Sequence, residues 1–227
     1  MLTELARQDQ IASDLANAST PGFKPLESSQ QSFGALLVSD PSTGTSLGQL
    51  PLGVGNVATT PDLEQGAVRQ TGEPLDVALV GQGFLAVRTP AGVQFTRDGQ
   101  LSLDANGTLT TTTGYPVLDA NGRQIRLQSA KPEIGVDGTI TDGGKTVTKL
   151  GVFSLANPAK VGDSFFAGQP GPAPAGTGVK QGSLESSGVD PARAMVDMIA
   201  SLRAFESVQR VIRSIDEVLG RNINGAH

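Results

Sequence analysis

The chain has 227 residues, 37% apolar and 4% aromatic, with a formal charge of −5 and no cysteine. That length allows one good core or a medium domain with appendages, and the low apolar share speaks against a single large core. The acidic balance argues against a phosphate-binding face for nucleic acid, while a lone terminal His227 and the missing cysteines exclude imidazole chemistry, thiol nucleophiles, disulfides and metals held by either residue.

In chain order, Leu2, Leu5, Ile11, Ala12, Leu15 and Ala16 recur at steps of three and four and predict a helix, which Asn17 to Gly22 end around Pro21. Residues 1–24 are thus a first helical module. Residues 25–61 are rich in Ser, Gly, Pro and Thr without a sustained period and predict an extended connector. From 62 to 167 short apolar runs such as LDVALV (75–80), FLAV (84–87) and VTKLGVFSL (147–155) alternate with turn dipeptides. Asp98-Gly99, Asn106-Gly107, Asn121-Gly122, Asp137-Gly138 and Asp142-Gly143 predict tight hairpins in an all-β domain. LDANG occurs at 103–107 and again at 118–122, marking successive hairpin tips.

Residues 168–182, with GQPGPAPAGTG at 168–178, read as a stiff linker out of the β body. Residues 183–227 then form a second helical module. Asp190 is a good N-cap, Pro191 suits the first turn, and Gly220 stands as a stop. Met195, Ile199, Leu202, Phe205, Val208, Ile212, Ile215 and Leu219 form an apolar seam at near-heptad spacing. The fold class expected is α+β: a central all-β domain of short antiparallel strands between terminal helices that form a coiled-coil-like assembly module. No apolar run reaches the roughly 18 residues of a membrane span, and no basic segment before an apolar one marks a cleavable secretory signal.

Little here invites catalysis, cofactors or metals. Asp104-Ala-Asn106-Gly107 and Asp119-Ala-Asn121-Gly122 look like the opening of a calcium loop, but neither has the later ligands, and plain turns explain them better. Gly81-Gln82-Gly83 resembles half of a phosphate loop, yet it opens no helix. A pair of carboxylates could serve a glycosidase. Here Asp98, Asp104, Asp119, Asp137 and Asp142 already have turn positions to occupy. Arg193, Asp197, Arg203, Glu206, Arg210, Arg213, Asp216 and Glu217 form either a solvated helix face or a row that sets register between packed helices.

The seam needs a partner. Its burial represents on the order of 10–20 kcal/mol. Leu2, Leu5, Ile11 and Leu15 offer it only a short, weak stripe, so burial between subunits is expected.

Long stretches of the chain resemble the bacterial flagellar axial proteins of the basal-body rod and hook group. SDLANASTPGFK (13–24) is similar to that family's N-terminal signature. GAVRQTGEPLDVALVGQGFLAV (66–87) and FTRDGQLSLDANGTLTTTTGYPVL (95–118) are similar to its central β signature, and GSLESSGVDPARAMVDMIASLRAFE (182–206) to its C-terminal helix motif. Asp14 stands where the family has Asn, and Gly188 where Ser-Asn-Val is usual. The N-terminal helix is several turns shorter than in relatives, which sets the expected true start upstream of Met1.

The resemblance implies a structural subunit of the flagellar rod, exported by the flagellar type III apparatus without a cleaved signal. It would pack by its terminal helices with copies of itself and with other rod and hook proteins into a periplasmic drive shaft. It implies no enzyme activity, no cofactor, no nucleic acid and no small-molecule substrate. Arg203-Ala204-Phe205-Glu206 and the DEVLGR ending look more like a distal than a proximal rod protein, and the compact central domain favours rod over hook. The alternatives are a hook or hook-junction subunit, and a carbohydrate-binding or carbohydrate-active β-protein with an oligomerisation helix.

Overall fold

The computed structural model describes residues 2–32, 35–39, 46–51, 54–162 and 164–224. The chain divides into two compact units. One, the helical unit, comprises Met1–Leu15, Leu26–Thr60 and Pro191–His227; the other, the β unit, comprises Ala16–Pro25 and Pro61–Asp190.

Strands Phe84–Thr89, Gly92–Thr96, Phe165–Gly171 and Val152–Lys160 of the β unit pair antiparallel and close into a barrel. FLAV is apolar at every position because both faces of its strand are covered. Alternate side chains point to opposite faces. Leu85 and Val87 therefore join a cluster with Leu109, Val117, Ile125 and Leu150, while Phe84 and Ala86 join another with Phe95, Leu118 and Phe166. The rings of Phe84 and Phe166 lie 5.2 Å apart at 55°.

Antiparallel pairs surround the barrel: Leu101–Leu103 with Leu109–Thr111, Thr139–Asp142 with Glu133–Ile134 and Lys145–Lys149, Gly178–Gln181 with Val77–Val80, and Ser183–Glu185 with Val68–Gln70. Both LDANG copies are tight turns built alike. Asp104 Oδ1 accepts the N–H groups of Asn106 and Thr108 at 2.8 and 2.7 Å, and Asp119 Oδ1 those of Asn121 and Arg123 at 2.8 Å each. These carboxylates cap their own turns, which is the turn role rather than the calcium one. Gly107 and Gly122 take the left-handed φ of 74° and 75° that such turns require. Gly99 is a glycine for another reason: a Cβ there would stand 1.6 Å from the Val77 carbonyl oxygen.

The helical unit holds α1 (Leu2–Ala16) and α2 (Pro191–Asn224). It also holds strand Leu26–Ser32 paired with Val54–Pro61, and Ala35–Ser39 paired with Ser46–Pro51. The molecule is therefore α+β, with its helices at the two ends of the sequence.

Several expected boundaries move. The segment expected as an extended connector, 25–61, is strand along most of its described length, held by backbone pairing that asks little of LESSQQS. The expected linker at 168–182 belongs to the β unit: Pro170 pairs with Leu155 in the barrel, and Gly178–Gln181 pairs with Val77–Val80. Proline fits there because the pairing of this strand with Gly92–Thr96 is confined to Phe165 and Phe166, so Pro170 has an edge on its other side. Residues 183–185 are a buried strand, so the module expected from 183 is not helical there, while its helix starts at Pro191 as the Asp190-Pro191 pair predicts. It also runs through Gly220 to Asn224, so that glycine does not stop it. At the other end α1 closes at Ala16, and Asn17 to Gly22 end it as expected.

Candidate assembly helix and a buried ion cluster

Pro191 opens α2 with the fixed φ of a first helical turn, directly after Asp190. In α1, Glu4, Gln8, Ile11 and Leu15 are half-buried at helical spacing. In α2, Ala194, Asp197, Met198 and Phe205 are half-buried and Ser201 is buried, its hydroxyl donating to Glu4 Oε2 at 3.0 Å.

The seam residues divide accordingly. Phe205 is half-buried, whereas Met195, Ile199, Leu202, Val208 and Ile212 are exposed, as are Val196 and Val211. Exposure runs from 37% at Val208 to 64% at Val196, which is unusual for a row of large apolar side chains in one chain. On α1, Leu5 is exposed and Ile11 and Leu15 are half-buried. Leu2, Ile215 and Leu219 fall outside the residues whose side chains are described. At 34 residues α2 is ~51 Å long, and the 15 described residues of α1 span ~22 Å.

Glu185 anchors the β unit at the segments that lead into both helices. Its side chain is 1% exposed, and Oε1 accepts from Lys24 Nζ at 2.6 Å and from the Gly66 N–H at 2.8 Å. Arg97 Nη1 spans both carboxylate oxygens, at 3.2 Å to Oε1 and 2.9 Å to Oε2. Two buried cations thus share one carboxylate. The remaining positive charge is spread over carbonyls: Lys24 Nζ also donates to Glu64 O, and Arg97 to Gly83 O at 2.9 Å and to Gly81 O. Buried charges persist only when each is paired and hydrogen-bonded in this way. The Gly81-Gln82-Gly83 loop accordingly offers oxygens to a cation instead of N–H groups to a phosphate.

Backbone bonds tie the same segments together. Gly22 N–H donates to Glu185 O and Gly188 N–H to Phe23 O, both at 2.9 Å. Phe23 is fully buried under Lys160, whose Nζ stands 3.6 Å from its ring centroid and donates to Lys24 O at 2.9 Å. Gly22 has φ +65°, and a Cβ there would meet the Arg97 carbonyl oxygen at 2.2 Å. The chain stretches preceding α2 and following α1 therefore lie side by side.

Sequence reasoning missed this cluster, although the quoted motifs contain it: Lys24 ends the first, Gly66 opens the second, Arg97 lies in the third and Glu185 in the last. The available signal was a charged residue inside each short, turn-bounded segment. Among the described residues, no group of three acidic or histidine side chains could hold a metal ion.

Residues 180–225, which include Glu185 and α2, match the family described as flagellar basal body rod FlgEFG protein C-terminal. Residues 78–157, which include Arg97 and much of the barrel, match the flagellar hook protein FlgE/F/G D1 domain. The chain is 32% identical over 220 residues to the flagellar basal-body rod protein FlgF of Mesorhizobium japonicum, covering 91% of this chain and 86% of that one. It is 35% identical over 239 residues to the Escherichia coli protein of the same name, with 96% and 91% covered. It is 32% identical over 248 residues to the flagellar basal-body rod protein FlgG of Bacillus subtilis, with 95% and 92% covered. The chain belongs to the flagellar basal-body rod protein family.

Proposed function

We propose that this chain is a structural subunit of the flagellar basal-body rod that polymerises through its terminal helices. One observation carries the reading: α2 leaves Met195, Ile199, Leu202, Val208 and Ile212 in solvent in a single copy. Apolar area of this extent favours burial by another surface. Neighbouring subunits supply it, with Leu2, Leu5, Ile11, Leu15, Phe205, Ile215 and Leu219 completing the contact. The β unit stays folded as a rigid body. Other rod and hook proteins cap the polymer, and the flagellar export apparatus delivers the chain to the periplasm.

The test replaces Leu202 and Ile212 by Gln in the chromosomal copy. The expected result is a protein with the unaltered strand signal in circular dichroism, lost from purified basal bodies, in non-motile cells. Normal motility with normal incorporation rejects the helix as the assembly element. Glycan binding by the purified chain, with no incorporation even of the unaltered protein, would favour the carbohydrate-binding alternative.

A further inference from the structure

The cluster of Lys24, Arg97 and Glu185 holds more positive charge than its carboxylate balances. Among the described residues Glu185 is the one carboxylate paired with either cation, and all three side chains are closed to solvent. The carbonyls of Glu64, Gly81 and Gly83 accept N–H bonds but bring no formal charge. One positive charge is therefore left over inside the β unit, where low dielectric makes it costly.

Arg97 also has a donor to spare. A guanidinium carries five N–H groups. Arg97 spends Nε on Gly83 O, Nη1 on the two Glu185 oxygens, and Nη2 on Gly81 O. One N–H of Nη2 is left over. Arg97 also lines a cavity of about 130 Å³, beside Gln82 and Ser154, which add an amide and a hydroxyl. Leu63, Phe84 and Leu155 make much of the remaining wall apolar.

We infer that this cavity is a binding site for a small monovalent anion, with chloride as its simplest occupant. A single negative charge cancels the surplus of the cluster, whereas water in the same space brings none. The apolar wall suits a weakly hydrated halide and opposes sulfate or phosphate, whose second charge overshoots and whose water is harder to strip. The spare N–H of Arg97 is a charge-assisted donor for such an ion. Gln82, Arg97 and Ser154 come from separate segments that only the folded β unit brings together, so the anion stabilises that fold by mass action. The inference is independent of the polymer reading.

The test melts the whole purified chain at constant ionic strength while sodium gluconate is exchanged for sodium chloride. The melting temperature is expected to rise with chloride and to level off at saturation, with bromide acting alike. Crystals grown in bromide are expected to show an anomalous peak in the cavity beside Arg97. Lys24 is not part of the cavity wall, so Lys24→Met removes the surplus charge and leaves the wall intact. It should weaken chloride binding by ~10-fold or more. Equal melting in gluconate and chloride, a cavity without a bromide peak, or unchanged chloride dependence in Lys24→Met would each overturn the site. The first two measurements use the unaltered chain and decide the matter even where the variant folds poorly.

Discussion

Lys24 and Glu185, 161 positions apart in sequence, form a 2.6 Å ion pair with both side chains closed to solvent. Arg97 shares the same carboxylate. The energetic consequence is asymmetric. Glu185→Ala leaves two buried cations without a counter-ion and should cost about 3–5 kcal/mol. Lys24→Met leaves the Arg97–Glu185 pair intact and should cost clearly less. Urea denaturation of the two variants side by side checks the order; equal losses would mean that Arg97 does not share the load.

Asp98 sets a pH dependence. Burial pushes its carboxyl up to about 6, against the Gln100 N–H that favours the charged form, and nearby Asp76 pushes it further up. The native state therefore holds a proton that the unfolded chain releases from the ordinary value of 3.8 upward. Its contribution is fully present below pH 3.8 and is lost as pH rises through about 6. Asp98→Asn should keep the Gln100 bond and raise stability at pH 8 by up to about 3 kcal/mol, with no gain at pH 3.5. Thermal melts at the two pH values decide it.

Asp119 acts in the opposite direction. Burial alone would raise its pKa, but the N–H groups of Arg123 and Asn121, the Thr148 hydroxyl and the Arg123 charge outweigh that and hold it low. Its contribution is present above the ordinary carboxylate value and is lost as pH falls through its folded one. Asp119→Ala leaves those donors without their acceptor and should cost about 2 kcal/mol at pH 7, by chemical denaturation.

Gly99 separates close approach from backbone conformation. Gly99→Ala drives a methyl into the Val77 carbonyl and should prevent folding of the β unit. Gly114→Ala, at φ +84° with open space around it, should cost only about 1 kcal/mol. Comparing soluble yield and melting temperature of the two variants tests this.

Much of the architecture was legible in the sequence, for reasons that differ by element. The end helices announced themselves through spacing, and Asn106-Gly107 and Asn121-Gly122 through turn chemistry. LESSQQS and GQPG were not legible as strands, because backbone pairing holds them there and neither leaves an apolar alternation. The apolar seam was legible residue by residue, but which of its members are exposed was not. The ion cluster was invisible because its members come from four distant segments, and only tertiary structure brings them together.

Hydrogen exchange on the dilute, unassembled chain should follow exposure. Amides of α2 beyond Phe205, with few sheltered side chains, are expected to exchange within the dead time of the measurement, while Leu85, Val87 and Leu118 stay protected. Equal protection of both would contradict an unpartnered helix.

The pairing of Lys24 with Glu185 also governs timing. A nascent polypeptide that has reached only residue 184 carries both cations and lacks the anion they require, so its β unit is without the stabilisation of that ion pair. Closing a loop that long is slow as well as late. The β unit therefore reaches its full stability only after Glu185 has been added.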